Sequence, residues 1–186
     1  LAPDVYLGLR PLTRTPGGQF AIGGAGVVVD WLVEMRRLDR QRMLDEMLAG
    51  GRVTAGDLRP VVELLGTFYA HEPPAVGDGA ALAARLRAQA TANHRVIATL
   101  DGAGADALRG AQLAFVDAHR DWLDARAAGG CVVEAHGDLR PEHILLARPA
   151  AVIDCLEFDR NLRILDRAEE LEFLAMECAR SGHASV

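Results

Sequence analysis

Lysine is absent from this chain: all 20 basic residues among its 186 are arginine. A P-loop needs a lysine on its phosphates and Schiff-base or pyridoxal chemistry needs a lysine amine, so this chain supports neither. Cysteine is scarce. Cys131, Cys155 and Cys178 are odd in number and lack both a CxxC and the Cys/His spacing of a structural zinc site, which suits a reducing cytosol and predicts a cytoplasmic protein. Long apolar runs are missing too. The charge-free stretch from Thr15 to Val29 has 15 residues with five glycines, too short and too flexible for a membrane span, and no signal peptide is visible.

Basic excess is also lacking. The net charge is −6, and it is localised: residues 1–120 carry 13 acidic and 13 basic side chains, whereas residues 121–186 carry 13 acidic ones against 7 arginines. Such an end repels phosphate backbones and suits a cationic small molecule, so neither nucleic acid nor membrane is an expected partner. Hydrophobic residues make up 50% of the chain, enough for a sizeable core at this length. The first residue is Leu1 rather than Met, and the last helical pattern is followed closely by Ser181-Gly182. The expectation is a fragment cut at both ends.

Three strands are predicted in residues 5–36: Val5 to Leu12, Gln19 to Ile22 after a Thr15-Pro16-Gly17-Gly18 turn, and Val27 to Met35. Gly24-Ala25-Gly26 lacks the GxGxxG spacing of a dinucleotide loop and reads as a hairpin turn. The period then changes to near 3.6. A short helix through Met43, Leu44, Met47 and Leu48 stops at Gly50-Gly51. Thr54 with Asp57 resembles a capping box for a helix whose Leu58, Val61, Leu65, Phe68 and Tyr69 face inward. Two longer helices follow, through Leu82, Leu86, Ala90, Asn93, Ile97 and Leu100, then through Leu108, Gln112, Phe115, His119 and Trp122. After Gly129-Gly130 come three short strands, Cys131-Val132-Val133, Ile144-Leu145-Leu146 and Ala151-Val152-Ile153, with a polar loop at 136–143. A last helix from Asp166 carries Leu171, Leu174, Ala175 and Cys178 on one stripe.

The chemistry-bearing residues are dense in His136-Gly137-Asp138-Leu139-Arg140-Pro141-Glu142-His143 and in Val152-Ile153-Asp154. Two apolar hairpin strands separate a loop carboxylate from a second one at the hairpin's end. Phosphoryl transfer asks for such a pair: a base beside the acceptor hydroxyl, and an oxygen ligand for the magnesium that bridges nucleotide phosphates. The pattern of His136-x-Asp138, four intervening residues, a polar residue at 143 and Ile153-Asp154 resembles the catalytic loop and metal aspartate of the aminoglycoside phosphotransferases within the kinase-like superfamily. Residues 4–8, 30–38 and 153–158 resemble an uncharacterised branch of that family, sometimes fused to an ATP-binding domain.

The resemblance implies an α+β, protein-kinase-like fold, with residual N-lobe strands and hinge over 1–37 and a helical C-lobe over 38–186. The catalytic loop and metal-binding hairpin would occupy 131–158. It implies an ATP- and Mg2+-dependent phosphotransferase acting on a small-molecule hydroxyl, with a fused or separate ATP-binding domain as a further partner. Asp138 would be the catalytic base, Arg140 a phosphate-stabilising cation and His136 a brace of the loop. Asp154 would bind magnesium, and Glu34, Met35, Arg36 and Arg37 would form the hinge that meets adenine. Two departures stand out. Position 143, usually an Asn that ligates the second magnesium, is His143, which acts through water or favours manganese. The glycine-rich loop, the strand Lys and its helix Glu have no counterpart here.

Other readings remain open from the residues alone. Without the phosphate-gripping elements, the chain reads equally as a catalytically impaired pseudokinase or a regulatory binding module. His136, His143, Asp138 and Asp154 also suggest a metal-dependent hydrolase, although a seven-residue gap across a proline-containing loop is not a recognised ligand spacing. Arg140 has Glu142 or Glu134 as alternative surface partners. Glu157, Asp159, Glu169, Glu170, Glu172 and Glu177 either line a pocket for a polycation or form a solvated helix face.

Overall fold

β-Branched and aromatic residues near the N-terminus form a three-stranded antiparallel sheet in the computed structural model, which describes residues 1–183. Its strands are β1 (Tyr6–Arg14), β2 (Phe20–Ile22) and β3 (Val27–Met35). The expected turn after β1 is present: Gly18 N–H donates to Thr15 O at 2.9 Å, and Thr15 N–H to Gln19 O at 2.9 Å. The expected hairpin between β2 and β3 is not. The strand order is β2-β1-β3, so the glycine-rich link crosses β1 and places β3 on its far edge. The crossing explains the glycines, because a Cβ on Gly26 would lie 2.6 Å from the carbonyl oxygen of Arg14.

The capping box is formed as expected. Both the N–H and the hydroxyl of Thr54 bond Asp57 Oδ2, at 3.0 and 2.5 Å, and α2 (Ala55–His71) follows with Val61, Leu65 and Tyr69 buried. Before it, α1 (Leu44–Ala49) ends at Gly50. Asp78 caps α3 (Gly79–Ile97) and Asp101 caps α4 (Gly102–Ala118), each through its carboxylate on a backbone N–H. The second long helix predicted from the sequence is broken at His119, and α5 (Arg120–Ala128) is a separate element. The expected inward stripe is turned outward as well. Leu108, Phe115 and Trp122 are exposed, while Ala105, Val116, Leu123 and Ala127 are buried. Small residues let these helices approach closely, so the alanines, not the aromatics, take the interior.

The last segments are β4 (Val132–Glu134), β5 (Ile144–Leu145), β6 (Ala151–Val152), β7 (Ile164–Asp166) and α6 (Arg167–Arg180). The expected hairpin of β5 and β6 is present, pairing Ile144 with Val152 and Leu145 with Ala151. β4 pairs instead with β7, a strand hidden in the sequence between charged residues. On α6 the expected apolar stripe is only partly inward: Cys178 is buried and Leu174 half-buried, but Leu171 and Ala175 are exposed while Glu170 and Glu177 are buried.

The mixed α+β architecture divides into two compact units. One comprises 1–68, 139–155 and 173–183, with a core of Val5, Met43, Leu145 and Ala151. The other comprises 69–138 and 156–172, with a core of Leu82, Val116, Leu123, Val132 and Ile164. The expected N-lobe remnant, 1–37, lies wholly in the first unit. The expected C-lobe runs to residue 186, and its positions 184–186 lie outside the described residues. Among the described residues, no helix is long and apolar enough to cross a membrane.

Candidate functional site

The loop 135–138 follows β4, whose Val132 and Val133 are fully buried. His136 is 1% exposed, and its Nδ1 accepts the N–H of Asp138 at 3.4 Å, placing the imidazole under the half-buried Asp138. Gly137 turns the chain at φ +84, where an added Cβ would crowd Leu156 and Arg163. Its N–H donates to Glu170 Oε1 at 2.6 Å. The other oxygen, Oε2, accepts the hydroxyl of Tyr69 at 2.5 Å, and Glu170 is 2% exposed. Burial pushes the Tyr69 hydroxyl's pKa up, reinforced by the Glu170 charge, so Tyr69 stays a donor. A buried carboxylate on α6 thus holds the backbone turn that carries Asp138.

Leu156 N–H donates to His136 O at 3.1 Å, and Arg163 Nη1 donates to Leu156 O at 2.6 Å. Arg163 and Arg160 both bond Glu134, holding its carboxyl below the usual carboxylate range. Arg140 lies 3.1 Å from Glu142 and 3.5 Å from Glu177, within the first unit. Glu177 is itself held low, first by its hydrogen bond with Arg180.

Asp154 follows the β5–β6 hairpin at φ +62, the left-handed region, and is the one non-glycine residue there among the described residues. Its N–H donates to the Tyr6 hydroxyl at 2.8 Å, while its side chain is 77% exposed. Tyr6 is also the β-partner of Met35, so one side chain ties Asp154 to the strand end that carries the expected hinge. In that hinge, Glu34 pairs with Arg10 at 2.7 Å, Arg36 N–H bonds Val5 O at 2.8 Å, and Arg37 is exposed. His143, on the 3-10 turn Pro141–His143, reaches Asp154 Oδ2 with its Nε2 at 3.5 Å and is only 12% exposed.

The structure thus gathers Asp154, His143, Tyr6 and Met35 in the first unit, and His136, Gly137, Asp138, Tyr69 and Glu170 in the second. Among the described residues, no three His, Cys, Asp or Glu side chains cluster as a metal cage. A nucleotide-borne magnesium asks for less, one or two carboxylates beside the phosphates, and the open Asp154 carboxylate fits that demand.

Nothing in the sequence signals that Tyr6 holds Asp154 or that Tyr69 and Glu170 brace the Gly137 turn. Glu170 was hidden because it sits in an acidic run whose members go separate ways. Glu157 and Glu172 are exposed, Asp159 accepts from Asn161 N–H, Glu169 is half-buried, and Glu170 faces the interior.

Comparison with known proteins gives relatives named only as uncharacterised. Uncharacterised proteins of Mycobacterium bovis and of two Mycobacterium tuberculosis strains are each 29% identical over 193 aligned positions, covering 100% of this chain. The chain spans 37% of the length of those relatives. No family model matches the chain, and no solved structure is similar to it.

Proposed function

We propose that the chain is the catalytic-loop portion of an ATP-dependent phosphotransferase acting on a small-molecule hydroxyl. The observation that carries this reading is the backbone of Asp154. A non-glycine residue in the left-handed region costs free energy and persists where its surroundings over-determine it, commonly at a functional site. Here the strain presents an exposed carboxylate at the position that the resemblance assigns to the metal aspartate. The braced turn at Gly137 supports the same reading by fixing Asp138 in a loop of the matching pattern.

In this reading Asp138 accepts the proton of the acceptor hydroxyl as that oxygen bonds the γ-phosphorus and the bond to the ADP oxygen breaks. Asp154 would hold the magnesium that neutralises phosphate charge. His136 keeps the loop in register, and Glu34 to Arg37 would offer backbone to adenine. The second reading, an impaired kinase or a regulatory module, is favoured by His143 at the second-metal position and by the complete lack of lysine.

Radiolabelled γ-phosphate transfer from ATP with Mg2+ or Mn2+, screened against amino-alcohols, sugars and aminoglycosides, tests both readings in the longest natural protein containing the chain. Asp138→Asn should lower transfer by about 10²-fold or more with nucleotide binding nearly unchanged. Asp154→Asn should weaken metal-nucleotide binding and turnover together. Transfer that survives both substitutions sinks the motif assignment. Nucleotide binding without transfer to any acceptor supports the regulatory reading.

A further inference from the structure

The first unit contains a second feature that neither Asp138 nor Asp154 touches. A cavity of about 430 Å³ lies between α1, residues 140–142 and the C-terminal end of α6. Its wall mixes the carboxylates of Asp45, Glu142 and Glu177 with the guanidinium groups of Arg140 and Arg180 and the imidazole of His183. These groups are only partly consumed by one another. Glu177 engages Arg180 at 2.8 Å and Arg140 at 3.5 Å, and Asp45 Oδ2 engages Arg40 at 2.6 Å.

Three polar atoms of the residues lining it are shielded from solvent and lack a hydrogen-bond partner: Asp45 Oδ1, Arg140 Nε and His183 Nδ1. Arg140 Nε is 3.1 Å from Glu142 but poorly aligned with it, an ion pair without the hydrogen bond. Buried polar atoms are normally paired, and three orphans around one cavity mark a network that is incomplete as it stands. Their chemistry differs. A carboxylate oxygen only accepts, a guanidinium N–H only donates, and an imidazole nitrogen does either. Small side-chain rotations into the cavity would bring an unfilled acceptor and an unfilled donor onto one ligand.

We propose that this cavity binds a small zwitterion presenting an ammonium and a carboxylate, a free amino acid being the simplest. The ammonium would donate to Asp45 Oδ1 with Glu142 nearby, and the carboxylate would accept from Arg140 and Arg180. A plain anion would face three carboxylates and a plain cation two guanidinium groups, so single-charge ligands are disfavoured by the same wall that accepts the double charge. The apolar lining is limited to Leu48, Ala49 and Pro141, so the charged head rather than a large side chain carries recognition.

Saturation-transfer NMR and calorimetry on the whole purified chain, without nucleotide, test this with the twenty free L-amino acids. At least one should bind with a dissociation constant of about 1 mM or tighter. Its amide and its N-acetyl derivative, each lacking one charge, should bind at least about tenfold more weakly, as should Asp45→Asn and Arg180→Gln proteins with the free amino acid. No saturation by any amino acid below about 10 mM overturns the proposal. So does binding of either derivative as tight as that of the free amino acid, or loss with the derivatives but retention in both folded variants, which would place the site elsewhere. If a variant fails to fold, the derivative series in the native chain decides. Phosphoryl transfer does not enter these readouts, so failure here leaves the phosphotransferase reading standing, and the reverse.

Discussion

Truncating Glu170 to alanine removes two hydrogen bonds to a carboxylate at once. Gly137 N–H at 2.6 Å and the Tyr69 hydroxyl at 2.5 Å both lose their acceptor, at a site where Glu170 is 2% exposed. Hydrogen bonds to charged groups contribute about 1.5–3 kcal/mol each, so a loss of about 3–5 kcal/mol is expected for Glu170→Ala. Glutamine keeps both contacts in neutral form, its oxygen on Gly137 N–H and its amide donating to the Tyr69 oxygen, and should cost about 1–2 kcal/mol. Urea unfolding reads this directly. At a slope of about 2 kcal/mol per molar, the alanine variant's midpoint should fall by about 2 M and the glutamine variant's by about 0.5–1 M. Tyr69→Phe, combined with Glu170→Gln in a double-mutant cycle, should show a coupling of about 1 kcal/mol. Hydrogen exchange at the Gly137 amide should speed up in the alanine variant beyond its loss of global stability. A midpoint shift below about 0.5 M for Glu170→Ala would show that the buried carboxylate does not hold the loop.

Burial, partly offset by Arg85, raises the pKa of Glu169, so between the ordinary carboxylate value and the raised one the folded chain binds more protons than the unfolded chain. That contribution to stability is therefore full at low pH and falls as pH rises through the window. Glu169→Gln should be more stable than the native chain at neutral pH, with the difference vanishing under acid; a gap that does not change with pH refutes it. At Gly79 an added Cβ would collide with Asp124, whereas at Gly110 it meets nothing within 4 Å. Gly79→Ala should thus lose about 1–3 kcal/mol and Gly110→Ala gain about 0.5–1 kcal/mol in thermal unfolding, and equal signs would disprove the close approach of α3 to α5. Asp154→Gly relieves the left-handed backbone and should gain about 0.5–1.5 kcal/mol while weakening magnesium-nucleotide binding in a binding-competent protein. A destabilised glycine variant would mean that the Asp154 side chain contributes more than its backbone costs.

Local signals were legible where chemistry and geometry coincide within a few residues. Thr54 and Asp57 close a capping box three residues apart, and the apolar pairs at 144–145 and 151–152 flank a five-residue link containing Arg148-Pro149 that permits only a hairpin. Longer-range choices were not. A glycine-rich link after Ile22 serves a hairpin and a crossover equally well, and only the occupancy of both edges of β1 distinguishes them. In α4 and α5 the large residues look like core, yet Ala105 and Ala127 let the backbones approach and leave Phe115 and Trp122 outside. For Glu170 the signal was misleading in kind, because an acid among acids reads as solvated surface until its buried donors, 33 and 101 residues away in the chain, are known.

The interleaving of the two units bears on when each can form during synthesis. β4 pairs with β7, about thirty residues later in the chain, and the carboxylate that holds Gly137 follows that strand. The first unit likewise needs Leu145 and Ala151 to complete a core begun by Ala2 and Val5, and its segment 173–183 comes last. On the ribosome, neither unit has all its segments until translation has passed residue 172, which leaves the sheet strands and the α3–α5 helices waiting as partly assembled intermediates. Chaperone dependence should accordingly rise when translation pauses between residues 138 and 166, and cutting the gene at either unit's boundary would yield no piece with a complete core.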